Sequence, residues 1–254
     1  VGLTVLMDQY AGVAPLTTEI VKSISKNIIT VLGGVYAMSN PKRAIEDENL
    51  DYVVIGEGEY VFKQLIGFYS GICDLPERGI CFRKKGMNEL DNRGHAEFIK
   101  NLDLLPKPAY HLIDFLSYCG KFDDRKNVDA PSKVPYARII TSRGCPEKCS
   151  FCQVPSLMGS YFRARSPDHV CDEIEWLKKE YGIKSLHFDE DNILTNTKRA
   201  KALFKRMIER GLAMPWINDA TAVFRCDYEM IDLMVESGCE YLNIAIESGT
   251  ERVT

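Results

Sequence analysis

T-S-R-G-C-P-E-K-C-S-F-C, residues 141–152, carries three of the chain's nine cysteines, Cys145, Cys149 and Cys152. They are separated by three residues and then by two. A thiolate is a soft ligand, so three this close either converge on a metal or share a loop. Three is one short of a closed tetrahedral zinc site. It suits a 4Fe–4S cluster in which thiolates hold three irons and the fourth stays open to a cofactor. A zinc knuckle built on Cys149 and Cys152 needs a second close pair, and the nearby His169 and Cys171 fall on a predicted helix. Cys73, Cys81, Cys119, Cys226 and Cys239 are isolated in sequence and read as core thiols.

Working outward, residues 137–141 (A-R-I-I-T) predict a strand that feeds this loop. Ser166-Pro167 predicts a helix start, with Ser at the N-cap and Pro at the first helical position. Val170, Ile174, Leu177 and Tyr181 form its apolar stripe, and Gly182 ends it. A strand over 185–188, a helix over 197–210 and a strand over 217–223 follow. A helix after Asp227 stops at Gly238, and a fourth strand covers 241–246. Strands alternating with helices of this length imply right-handed crossovers and a parallel sheet. Four such units without closure fit the first part of a β/α barrel, a fold whose sites lie at the C-terminal strand ends.

The first half alternates as well. Val5 sits in a strand, 19–26 predicts a helix, and 28–32 predicts a strand ending at Gly33-Gly34. Asn40 starts a short helix, 52–55 reads as a strand ending in G-E-G-E, and 60–69 reads as a helix. This is the pattern of the later part of a doubly wound, Rossmann-like sheet, whose ligands bind beyond the strand ends. Residues 79–94 predict a hairpin turning near Lys85-Gly86, and 95–134, polar and carrying Pro106, Pro108 and Pro131, predict a connector. The expected organisation is therefore a partial Rossmann-like domain over 1–78, a hairpin and connector over 79–134, and a partial barrel over 135–254.

Composition narrows the function. The 254 residues are 45% hydrophobic, enough for sizeable cores, and the net charge is −4. No basic surface argues for a nucleic-acid partner. The longest apolar run, 28–37, is broken by Gly33-Gly34 and is far short of the ~20 residues of a membrane span. Nine cysteines, three of them at cluster spacing, favour a reducing cytoplasm over a secreted disulfide framework. The chain opens on V-G-L-T-V-L-M and stops at E-S-G-T-E-R-V-T, which reads as a fragment of a longer protein.

Two strand ends carry polar groups. F-D-E-D-N, residues 188–192, offers three carboxylates and an amide, either as ligands for ammonium and hydroxyl groups or as a cap before the next helix. A-I-E-S-G places Glu247 and Ser248 at the end of strand four, as site residues or as an ordinary turn.

Taken together, T-S-R-G-C-P-x-x-C-x-F-C, R-A-R-S-P-x-x-V-x-D-E-I, the acidic strand end and I-E-S-G resemble the cobalamin-binding radical S-adenosylmethionine (SAM) family. The resemblance implies cluster ligation by Cys145, Cys149 and Cys152. It sets Phe151, Glu190, Asp191, Glu247 and Ser248 on the SAM side. The N-terminal half resembles the end of that family's cobalamin domain. Thr4-Val5-Leu6 stands where the family has Ser-x-Leu, with Gly33-Gly34 following. Thr4, Leu6, Gly33, Gly34, Gly56 and Glu57 are then the cobalamin-side residues; a generic α/β strand with tight turns is the alternative. The implied cofactors are a 4Fe–4S cluster, SAM and cobalamin. The implied activity is reductive cleavage of SAM to a 5′-deoxyadenosyl radical for methylation of an unactivated carbon. Ring closure or rearrangement without methyl transfer, and a non-catalytic cobalamin or iron–sulfur module, are the rivals. A small-molecule substrate and a flavodoxin- or ferredoxin-like electron donor are the implied partners.

Overall fold

The computed structural model describes residues 1–84, 89–120, 130–222, 225–245 and 249–250. The expected hairpin turn at Lys85-Gly86 lies outside these residues, as do Glu247 and Ser248. Two compact units are present: 1–99 with 156–158, and 100–155 with 159–254.

In the first unit the strands are β1 (Gly2–Thr4), β2 (Val31–Gly33), β3 (Tyr52–Val54), β4 (Ile80–Arg83) and β5 (Leu90–Asn92), in that spatial order. β1, β2 and β3 run parallel, β4 pairs antiparallel with β3, and β5 pairs antiparallel with β4. The period-2 alternation of a strand divides the apolar residues between two faces. Leu32, Val53 and Cys81 pack with Tyr36, Ala37 and Ile45 on one face; Val31, Tyr52, Val54 and Ile80 pack with Val61 and Leu65 on the other. The helices are α1 (Val13–Ile24), α2 (Val35–Ser39), α3 (Pro41–Ala44) and α4 (Gly58–Tyr69). Such strands, buried on both faces, are those of a doubly wound sheet.

Most boundaries fall within two residues of the sequence pattern, Val5 lying just past the end of β1, and two differ by more. α1 begins at Val13 rather than near Glu19, running through Pro15. A proline in the first turn costs little, because its missing N–H is one the helix leaves unpaired. The β2 ladder begins at Val31 rather than Ile28. Ahead of it, Lys22 Nζ takes the Ile28 carbonyl and the Asp51 carboxylate. Asp51 also accepts from the Thr30 N–H and hydroxyl, which fixes the chain as it enters the strand.

The second unit is a parallel sheet of β6 (Tyr136–Ile139), β9 (Ser185–Phe188), β10 (Trp216–Ala222) and β11 (Cys239–Ala245). These four strands neighbour one another in sequence order, the progression of a β/α barrel rather than of a sheet that reverses at a switch point. Among the described residues the sheet is open, with β6 and β11 at its edges. Helices α6 (Pro167–Tyr181), α7 (Thr197–Glu209) and α8 (Tyr228–Ser237) connect them. Three side chains cap these helices as Ser, Asn and Asp should. Ser166 accepts from the His169 N–H, Asn196 from Arg199 and Asp227 from Met230. Gly182 and Gly238 end α6 and α8 in the left-handed conformation.

The helix-facing side of this sheet supplies Ala137, Ile139, Leu186, Phe188 and Trp216 to one core with Val170, Ile174, Leu203 and Phe204. Trp216 stacks on Phe204 at 5.1 Å, and its indole N–H donates to Ser237 Oγ at 3.0 Å. Residues 100–120, three short 3-10 turns, belong to this unit. There Tyr110 and Phe115 pack 4.3 Å apart against Trp176 and Tyr181 of α6. Among the described residues no helix is long and apolar enough to cross a membrane.

Candidate iron–sulfur and cofactor site

The cysteine loop leaves the C-terminal end of β6. Its neck is a two-residue clasp: β7 (Ser142–Arg143) pairs antiparallel with β8 (Arg163–Ala164). The one-turn helix α5 (Val154–Met158) follows the cysteines. Within the loop the Cys145 N–H donates to the Gly159 carbonyl at 3.3 Å, and the Cys152 N–H to the Cys149 carbonyl at 3.1 Å. Gly144, just before Cys145, has φ +79°, a conformation that lets the chain turn sharply out of the clasp. Cys149 is exposed and Cys145 and Cys152 are half-buried, so the three thiols stand on a surface loop rather than in a core. Cys81, Cys119 and Cys171 are buried; burial pushes Cys119 and Cys171 up to about 11, as expected of inert core thiols.

Cys145 is the most embedded in its surroundings. Burial holds its thiol above the ordinary value. The backbone N–H of Glu147 hydrogen-bonds its sulfur and acts the other way, while the charges of Glu147, Asp191 and Cys152 add to the rise. The Glu147 carboxylate in turn pairs with the Arg225 guanidinium, from a segment 78 residues downstream that follows β10.

The acidic strand end of β9 splits into separate jobs. Glu190 is buried; its carboxylate accepts the Thr141 N–H at 2.5 Å and the Ser142 hydroxyl. It therefore grips the root of the cysteine loop. Burial pushes its carboxyl above the usual carboxylate range, with Arg199, Ser142 and Thr141 pulling it back. Arg199 donates to the carbonyls of Thr141 and Arg165, both at 3.2 Å. Asp191 instead points to solvent beside Cys145, its carboxyl raised by desolvation and then by Asp189. Asn192 turns inward and accepts the Leu194 N–H. Phe151 is 69% exposed, a large ring left uncovered next to the last cysteine.

One group on this sheet was only partly marked in the motif reading, which singled out Asp189 within F-D-E-D-N. On the face away from the helices, His187 Nε2 lies 2.7 Å from Asp219, and Arg138 lies 3.0 Å from Asp189. His187, Asp189 and Asp219 bring ligand-type atoms within 4.8 Å of one another, with the Arg138 guanidinium beside them as counter-charge. The period-2 spacing of His187 on β9 and Asp189 just after it was the other available signal.

In the first unit, Thr4 ends β1 and Gly33-Gly34 ends β2. A Cβ on Gly34 would fall 2.6 Å from the Val5 carbonyl and 2.7 Å from Thr4 Oγ1, and φ there is +92°. Packing of the strand ends therefore accounts for Gly34. At Gly33 a Cβ would meet nothing nearer than 4.0 Å, so no neighbour in the chain demands glycine. Leu6 is 65% exposed. Gly56 has φ +109° and is closed off by His95 at 2.6 Å. The Glu57 carboxylate accepts the Ile99 N–H at 2.6 Å. Gly56 and Glu57 thus have structural work in the fold.

Residues 139–254 match the model of the radical SAM superfamily. The whole chain aligns at 31% identity with the cytidylyl-2-hydroxyethylphosphonate methyltransferase of Streptomyces wedmorensis, covering 51% of that enzyme. It aligns at 27% identity with the anaerobic magnesium-protoporphyrin IX monomethyl ester cyclase of Cereibacter sphaeroides, over 94% of this chain and 38% of that one. Among solved structures, 99% of the chain superposes on the radical SAM methyltransferase TsrM of Kitasatospora setae, covering 49% of it, with a TM-score of 0.77 at 18% identity. The cobalamin-dependent SAM radical enzyme OxsB gives the same score and identity, with 36% of its chain covered. These likenesses fix the fold of both units. The chain spans about half the length, or less, of the curated relatives it matches.

Proposed function

We propose, from the match over residues 139–254 and the likeness to these enzymes, that the chain is the core of an enzyme that cleaves SAM reductively and methylates an unactivated carbon of a small molecule with the help of cobalamin. The observation that carries the reading is the three-thiol loop at the C-terminal end of the first strand of an open, sequentially ordered parallel sheet. The donor set fits a cluster with one open iron: three thiols on a loop outside any core. When bound, the cluster and SAM supply a 5′-deoxyadenosyl radical and cobalamin supplies the methyl group.

The chain's own residues bind and orient. Cys145, Cys149 and Cys152 hold the cluster. Asp191, exposed beside Cys145, is the carboxylate placed to receive the ammonium group of SAM. Phe151, its ring exposed beside Cys152, keeps the SAM-side role the resemblance gives it. Glu190, assigned to the SAM side by resemblance, acts one step back by holding Thr141 and Ser142. Glu247 and Ser248 keep the SAM-side role the resemblance gives them. At the ends of β1 and β2, the Thr4 hydroxyl, Leu6 and the open side of Gly33 form the cobalamin side. The space at Gly33, where a Cβ would meet no close neighbour, supports this. Electrons come from a flavodoxin- or ferredoxin-like donor. The nine free cysteines support residence in a reducing cytoplasm. The negative net charge speaks against nucleic acid as a partner. The likeness to a cyclase favours, as the second reading, ring closure without methyl transfer.

The test is anaerobic reconstitution with iron and sulfide. We expect about four irons per chain, as a cubane cluster demands, and 5′-deoxyadenosine on reduction with SAM present. Cys145→Ala, Cys149→Ala and Cys152→Ala should each abolish loading, while Cys171→Ala should not. Equal loss from Cys171→Ala would show the ligand set to be misassigned.

A further inference from the structure

The polar group on the second unit's sheet has no part in holding the cysteine loop. In the register of the sheet, Arg138 and Ile217 stand on either side of His187. Asp189 and Asp219 come two residues after His187 and Ile217. By the alternation of a strand, Arg138, His187, Asp189 and Asp219 share the face opposite Leu186, Phe188 and Trp216, which pack under the helices.

His187 is 1% exposed, and its Nε2 lies 2.7 Å from Asp219 Oδ2. Its Nδ1 is buried with no hydrogen-bond partner among the described residues. A hydrogen on Nδ1 would be stranded, so the hydrogen sits on Nε2 and is donated to Asp219. The two carboxylates stay within reach of solvent, Asp189 44% and Asp219 40% exposed. Arg138 lies 3.0 Å from Asp189 but 3.9 Å from Asp219, beyond hydrogen-bond distance. Within this group, two carboxylates against one guanidinium leave one negative charge unmatched. The excess extends to Asp191, whose carboxyl is raised by burial and then by the charge of Asp189.

We infer that Asp189 and Asp219 bind the primary ammonium group of a small molecule, with His187 as the positioning residue that orients Asp219. An ammonium brings one positive charge and three donors, which suits two carboxylates with one charge unmatched. One oxygen of each acid and the His187 ring nitrogen lie within 4.8 Å of one another, so one ammonium can reach both acids. A divalent ion fits less well, because a ligating histidine donates its second N–H and Nδ1 here faces no acceptor. The group also lies at the C-terminal strand ends, where sheets of this kind place their chemistry. That the amine is the substrate's rests on the enzyme proposed above; the ammonium site itself does not need the cluster.

The experiment follows the histidine ring nitrogens of the 254-residue chain by long-range proton–nitrogen NMR, before iron is added. His187 is assigned by the signals missing from His187→Gln. The probes, at constant ionic strength, are ethanolamine hydrochloride, tetramethylammonium chloride, sodium phosphate and manganese(II) chloride. We expect the Nε2–H tautomer, and a saturable shift of the His187 nitrogens with ethanolamine. Tetramethylammonium, which has the charge without N–H donors, should not produce it. Asp219→Asn keeps an acceptor for His187 and should weaken ethanolamine about tenfold, the scale of one lost charge-assisted hydrogen bond. Arg138→Gln removes the competing cation at a half-exposed position and should tighten it. Tryptophan fluorescence checks that each variant folds.

An equal shift with tetramethylammonium would reduce the site to general charge. A saturable response to phosphate, lost in Arg138→Gln, would make it an anion site, and selective broadening of His187 by manganese would make it a metal site. No saturable response to any probe would leave the group a structural network, and a hydrogen on Nδ1 would remove the role given to His187. Each of these outcomes overturns the inference. None involves iron loading, so a chain that binds ethanolamine but cleaves no SAM would keep the ammonium site and refute only the enzyme proposed above.

Discussion

Glu190 shows how a side chain's type can be legible in the sequence while its burial and partners are not. Its acidic neighbourhood at a strand end was plain in F-D-E-D-N. Its burial was not, because nothing in a pentapeptide says which carboxylate turns inward. The structure gives it the Thr141 N–H, the Ser142 hydroxyl and the neighbourhood of Arg199. Removing it would strand a buried N–H, a hydroxyl and a guanidinium together. We expect Glu190→Ala to destabilise the second unit by about 3 kcal/mol. Glu190→Gln, which keeps an acceptor for Thr141, should lose less. The urea midpoint of tryptophan fluorescence measures both. A stable Glu190→Ala variant that fails only to bind SAM would return the residue to the cofactor.

The same residue carries a pH signature. Its folded pKa is raised above the unfolded one by burial. A raised carboxyl favours the folded state while protonated, so this contribution is full below about pH 4. It is lost as pH rises through the folded value. Stability of the second unit should decline across that window in the wild type and lose that component in Glu190→Gln. The Glu147–Arg225 pair and the joining of His187 with Asp219 went unread for a different reason: contacts between residues far apart in the chain leave no local pattern.

At the scale of elements, the sequence was most legible where punctuation and period agreed. Ser166-Pro167 and Gly182 bound α6, and Asp227 and Gly238 bound α8, because cap chemistry acts within one turn. The strands at 185–188 and around 217–222 were placed between the predicted helices that flank them. The three-residue strands of the first unit were harder, since hydrogen bonds at their edges, such as Asp51 to Thr30, decide where pairing starts. The β7–β8 clasp is two residues a side, too short to show any period.

The β2–α2 turn is the element on which the cobalamin reading rests, and it permits a clean test. Gly34 cannot accept a side chain, for its Cβ would strike the Val5 carbonyl. Gly33 can, because its Cβ would have 4.0 Å of clearance to Leu3 and Val54. Gly33→Val should therefore fold, with an unchanged circular dichroism spectrum, and should lose cobalamin on desalting after incubation with hydroxocobalamin. Retention of cobalamin by that variant would make the first unit an ordinary α/β module. Glycine at 33 would then owe nothing to a ligand.

For the whole molecule, the sequence pattern of two α/β segments became two compact units with separate cores. The apolar residues of the first unit fill the two faces of its mixed sheet. Those of the second lie between its parallel sheet and α6, α7 and α8. Both tryptophans, Trp176 and Trp216, belong to the second unit. Fluorescence therefore follows that unit alone, while far-ultraviolet dichroism follows both. Units with their own cores should unfold as separate cooperative transitions. Leu177→Ala, at a fully buried site, should cost about 2–5 kcal/mol and lower the fluorescence midpoint. Ile80→Ala, equally buried in the first unit, should lower the dichroism transition and leave fluorescence in place. If either substitution moves both probes together, the chain folds as one cooperative body. The division into two units would then describe packing but not stability.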